Sequence, residues 1–185
     1  MKRSALFCLL LSIICTQPSS SAKAHAAPIQ DAPVASSKLQ TPLPIVNRLD
    51  LSGSDGRHIT LTADALQSMP RQTVRVHNPH TKADETYQGV ELSVLLARLD
   101  APLGEKLRGK ALAMYVVAEG TDKYRAVYSL AEIDPAFHTG TVIVADREDG
   151  QPIAKDGPFK LVNTEDKRPA RWVRNLASIQ LGSIP

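Results

Sequence analysis

The chain has almost no cysteine. Its two thiols, Cys8 and Cys15, both fall within the first fifteen of 185 residues, inside a stretch with the pattern of a secretion signal. A protein exported and cleaved there carries no disulfide, no thiolate metal ligand and no cysteine nucleophile. Other absences narrow the field further. There is no Gly-x-Ser-x-Gly nucleophile elbow, no phosphate loop and no dinucleotide-binding glycine fingerprint. Asp146-Arg147-Glu148-Asp149 lacks the alternating acids and distal glutamate of a calcium loop and reads as a solvated turn. The longest apolar run, Ala5 to Cys15, is too short for a transmembrane helix, which needs about 20 residues. No internal repeat is present.

What is there begins with Lys2 and Arg3, then the apolar run, then Pro18 and Ser19 to Ser21. This order defines a signal peptide over residues 1–26, with Ala24-His25-Ala26 as the cleavage motif and Ala22-Lys23-Ala24 as a second one. Cys15 is the alternative processing point, as a lipid attachment site, but Ile14 precedes it where a small residue is wanted. The expected location is periplasmic or secreted. Removing residues 1–26 takes away three of the 22 basic residues and none of the 19 acidic ones. The remainder is neutral overall, so the basic isoelectric point is no nucleic-acid footprint. Residues 27–44, rich in Ala, Pro, Ser and Gln, read as a flexible leader. Residues 45–185 form one ordinary domain, long enough for a core without staples.

Within that domain, Ile45 to Leu51 and Arg57 to Leu61 pattern as a hairpin around Ser52–Gly56. Thr62 is a good N-cap for a short helix over Ala63–Met69, which Pro70 ends. Gln72–Val76 alternates as a strand. Asn78 to Asp84 reads as a loop, and Thr86–Gln88 as a short strand. Leu92, Leu95, Leu96 and Leu99 fall on one helical stripe. Ala111–Ala118 is nearly all apolar and predicts a central strand buried on both faces. Tyr124–Tyr128 predicts a strand, Leu130–Ile133 a helix and Thr141–Ala145 a buried strand. Asp149-Gly150 is a hairpin turn. Pro158–Val162 and Leu176–Leu181 complete the sheet content. Short strands mixed irregularly with short helices predict an α+β fold with a mixed β-sheet.

Three motif groups occur in a fixed order. The first is Tyr87-Gln88-Gly89-Val90-Glu91-Leu92 with Leu95-Leu96. The second is Glu119-Gly120-Thr121-Asp122-Lys123-Tyr124. The third runs from Ala145-Asp146 through Asp149-Gly150-Gln151-Pro152-Ile153 and Asp156 to Val162, ending at Arg171-Trp172-Val173. In this order and spacing, over roughly Leu61 to Leu181, they resemble the oxidoreductase molybdopterin-binding domain, the sulfite-oxidase-like family. The resemblance implies a molybdopterin cleft and a cysteine thiolate on molybdenum, from a loop matching His77 to Lys82. No cysteine stands there. Imidazole does not replace a soft anionic thiolate, so oxygen-atom transfer does not carry over with the fold.

The candidate cofactor or anion-binding residues are Arg125, Lys160, Lys167, Arg168 and Arg171. The last three lie with Arg174 in a segment carrying a local excess of positive charge, as phosphate-bearing ligands require. Arg125 and Lys160 sit in otherwise apolar strands, where a charge is either functional or solvent-facing. Trp172 reads as a core residue. His77 and His80 make no metal site without a third ligand. No catalytic residue is assigned. The expected function is an exported binding module for a small anionic ligand, or for a periplasmic or membrane protein partner. The alternative is a molybdopterin-dependent oxidoreductase with altered metal ligation.

Overall fold

Five strands make the first sheet of the computed structural model, which describes residues 47–184. They are β1 (Arg48–Ser52), β2 (His58–Thr62), β5 (Met114–Gly120), β6 (Arg125–Ser129) and β10 (Leu176–Ser183), in the order β2-β1-β10-β5-β6. β1 and β10 run parallel and the other pairs antiparallel, so the sheet is mixed. The second sheet is antiparallel: β3 (Gln72–Asn78), β4 (Ala83–Glu91), β7 (Val142–Glu148), β8 (Gln151–Pro152) and β9 (Lys160–Asn163). β4 pairs with one edge of β7, and β8 and β9 share the other. The expected signal and leader lie outside the described residues. Among those described, no helix is long and apolar enough to cross a membrane.

Three short helices connect the strands: α1 (Ala63–Gln67), α2 (Leu92–Ala97) and α3 (Leu130–Ile133). The Thr62 hydroxyl caps α1 by accepting from the Ala65 N–H at 3.2 Å. Ser129 and Glu132 close α3 with a reciprocal capping box. Leu92, Leu95 and Leu96 bury the apolar face of α2. Sheets with few, short helices give the α+β class.

The doubly buried strand is β7 and not the run at Ala111–Ala118. Val142 and Val144 enter the main core between the sheets, while Ile143 and Ala145 enter a second cluster with Val76, Tyr87, Ile153, Val162 and Trp172. In the Ala111–Ala118 run, Gly109–Ala113 turns as a 3₁₀ helix and only Met114–Gly120 is strand. β5 then buries alternate residues, with Val116 and Ala118 inward. Its outward positions, Tyr115 and Val117, are only half-buried. Continuous apolarity there serves a half-open face, a distinction that composition does not encode.

β4 is longer than expected, because Ala83–Glu85 already pair with Val76–Asn78 across a tight turn. Register shifts between Gln88 and Gly89. A Cβ on Gly89 would sit 2.1 Å from the Val144 carbonyl oxygen, so the close approach of β4 to β7 at this bulge requires glycine. Asp146 is also not in a solvated turn. It is a β7 residue, 6% exposed, held by the Arg71 guanidinium.

Candidate functional site

Backbone pairing beyond β9 builds the site. Leu161 and Val173 exchange both of their backbone hydrogen bonds, at 2.8 and 3.2 Å. The Asn175 N–H donates to the Asp156 carbonyl and the Leu176 N–H to the Phe159 carbonyl. This zipper sets Asp156 and Lys160 beside Trp172 and Arg174. The β5–β6 turn closes on them, because the Thr121 N–H donates to the Asn175 carbonyl at 3.0 Å. A Cβ on Gly120 would meet the Arg174 carbonyl oxygen at 2.7 Å. The β3–β4 turn supplies Asn78, His80 and Thr81. Together these segments surround a cleft of about 510 Å³, within the range of small-molecule sites.

Lys160 reaches the cleft from inside the protein, 6% exposed. Its register partner on β7 is Ala145. The ammonium donates to the Tyr87 hydroxyl at 2.8 Å and to Asp156 Oδ2 at 3.1 Å. It also lies 4.8 Å from the Tyr87 ring centroid and 5.7 Å from that of Trp172, within cation–π range. A lysine ammonium has three N–H donors. Two are engaged, which leaves one for a ligand. The two rings meet edge to face at 5.9 Å, and Trp172 Nε1 donates to the Asn163 carbonyl at 3.1 Å. Trp172 thus packs in the second core cluster and lines the cleft as well.

Behind Lys160 is a buried polar hub. The Tyr87 hydroxyl lies 2.8 Å from both Glu85 Oε2 and Glu148 Oε1. Its single proton serves one carboxylate at a time. Burial first, and then the two carboxylates, push the Tyr87 phenol far above its ordinary pKa, so it stays neutral and able to donate. Glu85 also accepts from Asn78 Nδ2 and from Thr81 Oγ1. Two of the three cleft residues of the β3–β4 turn, Asn78 and Thr81, are therefore tied to the same hub.

The other basic residues singled out from sequence lie elsewhere. Arg125 is exposed and paired with Glu119 at 2.5 Å. Arg171 is clamped by Glu132 at 2.9 Å and Asp166 at 2.5 Å, with its guanidinium carbon 4.6 Å over the Tyr128 ring. Its hydrogen bond to Asp166, and then the one to Glu132, raise its pKa further. The Tyr124 and Tyr128 hydroxyls donate to the carbonyls of Ala170 and Arg171, tying this segment to β6 and the turn before it. Lys167 and Arg168 are exposed and do not line the cleft. Lys155, Arg174, Asp122 and Tyr124 do; sequence reasoning set Arg174 in the basic cluster suited to a phosphate-bearing ligand and gave the other three no ligand role. His77 is bonded to Asp84 at 2.9 Å, and His80 is the cleft's one imidazole.

The donor set does not fit a thiolate-ligated metal. No cysteine lies beyond Cys15. Among the described residues no group of three His, Cys, Asp or Glu side chains could hold a metal ion.

At the level of fold, the chain is distantly similar to a molybdopterin oxidoreductase. The likeness is to the crystal structure of the sulfane dehydrogenase SoxCD from Paracoccus pantotrophus, at 21% sequence identity and a TM-score of 0.55. It covers 72% of this chain but only 37% of that one. No protein-family pattern and no curated protein sequence matches the chain.

Proposed function

We propose that this protein is an exported binding module with a sulfite-oxidase-like fold, which holds a small anionic ligand in the cleft over Lys160 and performs no redox chemistry of its own. The observation that carries the reading is the buried Lys160 ammonium, fixed by Tyr87 and Asp156 with one donor to spare. A pre-positioned, largely desolvated charge binds an anion more strongly than a mobile surface lysine, because little ordering remains to be done on binding. Lys155 and Arg174 add positive charge at the same opening. The missing thiolate and the lone cleft imidazole support binding over oxygen-atom transfer.

The test uses the full chain purified from a molybdenum-replete host. Metal and pterin analysis should find neither at stoichiometric level, and titration with inorganic phosphate or sulfate should show binding that Lys160→Met weakens. Stoichiometric molybdenum and pterin would overturn the reading in favour of an oxidoreductase with altered ligation.

A further inference from the structure

The cleft is not uniformly basic. Asp122 lines it from the β5–β6 turn, with its Oδ1 accepting only the Tyr124 backbone N–H, at 3.0 Å. Among the described residues no cation lies within ion-pair distance of Asp122. The neighbouring Lys123 is turned to Glu119 at 3.0 Å. Two of the cations come from the other wall, and Arg174, whose backbone packs against Gly120 of the same turn as Asp122, reaches towards Asp156 with its side chain. Lys155 has no carboxylate partner among the described residues, Lys160 has a spare N–H, and Arg174 stands 3.9 Å from Asp156. Among the described residues Asp156 is the one acid paired with Lys160 and Arg174. One cleft therefore holds an uncompensated carboxylate on the first sheet's turn and, about the 155–160 loop, a net positive charge from Lys155, Lys160 and Arg174 against Asp156.

A simple anion would leave Asp122 facing it, at a repulsive cost. A ligand with an ammonium group at one end and a carboxylate or other oxyanion at the other satisfies both walls. We infer that the ligand is a small zwitterion of amino-acid to dipeptide size. Its oxyanion group meets Lys155, Lys160 and Arg174, and its ammonium meets Asp122 beside the half-exposed Tyr124 ring, whose face also favours a cation. This rests on the anion-binding reading of the same cleft and adds the second charge.

Calorimetric titration of the purified full chain at low salt with three matched probes tests it: alanyl-alanine, its N-acetyl form and its C-terminal amide. The zwitterion should bind about fivefold more tightly than the N-acetyl form, the scale of a solvent-exposed ion pair, and the amide should bind weakest. Asp122→Asn retains the oxygen that caps the turn, and it should bring the two affinities together, lowering that of the zwitterion and raising that of the N-acetyl form. Equal affinity for the zwitterion and its N-acetyl form would overturn the inference and leave anion binding intact. Binding of inorganic phosphate with none of the three probes would do the same. Failure of phosphate, sulfate and all three probes would overturn both.

Discussion

Lys160 of β9 and Tyr87 of β4 are hydrogen-bonded at 2.8 Å although β7 lies between their strands. The contact crosses β7 at Ala145, the register partner of Lys160, which belongs to the same buried cluster as Tyr87. A small residue at the crossing lets a long side chain reach the neighbouring strand but one. The cleft's central charge is thus held by residues 73 positions apart in the chain.

Lys160→Met keeps the length and removes the charge. Charge-assisted hydrogen bonds contribute about 1.5–3 kcal/mol each, so affinity for inorganic phosphate should fall at least about tenfold in titration calorimetry. The fold should persist, with a urea midpoint lowered by the equivalent of roughly 1–3 kcal/mol. Unchanged phosphate affinity in a folded variant would remove Lys160 from the site.

Tyr87→Phe takes the acceptor from the Lys160 ammonium and the one donor that Glu85 and Glu148 share. The expected loss is about 1–3 kcal/mol in urea unfolding. Ligand affinity should fall as well, since the lysine is no longer fixed. A variant as stable as the parent would mean that the hub is not satisfied as described.

Ala145→Leu places a bulky chain in the path of Lys160 and overfills the second cluster. Overpacking of this kind costs about 1–3 kcal/mol. Gly89→Ala should be at least as damaging, because the added methyl meets β7 backbone rather than a side chain that can move. Thermal melts of the two variants check both expectations.

Glu132 supplies a pH dependence. Burial alone pushes its carboxyl up, but the Ser129 N–H, the Arg171 guanidinium and the Ser129 hydroxyl together outweigh that and hold it below the usual glutamate range. A depressed folded-state pKa gives stability that is present above the unfolded value, about 4.3. That stability is lost as pH falls through the folded value. The parent should therefore lose more stability between pH 6 and pH 3 than Glu132→Gln does. Equal acid sensitivity of their urea midpoints would contradict this.

Much of the local structure was legible because it depends on neighbouring residues. Thr62 before Ala63, the leucine stripe of α2, and Asp149-Gly150 with both residues at positive φ are short-range devices. Lys160 stood out as a charge between Phe159 and Leu161, which is a signal of unusual placement. The basic cluster of Lys167, Arg168, Arg171 and Arg174 gave a stronger compositional signal than Lys155, yet of its members only Arg174 lines the cleft, while the others turn to Glu132, Asp166 and solvent. Asp122 carried no signal, because a turn aspartate looks the same whether or not it faces a cation.

The sequence by itself determined the α+β mixture, the short capped helices, the turns and the lack of any thiol in the described domain, since each follows from local patterning or residue identity. Only the tertiary structure decided which strand is buried on both faces, which basic residue enters the cleft and which acids face it. Those facts depend on strand register and on backbone pairing such as Leu161 with Val173. A one-residue change of register moves a side chain to the opposite face of a sheet.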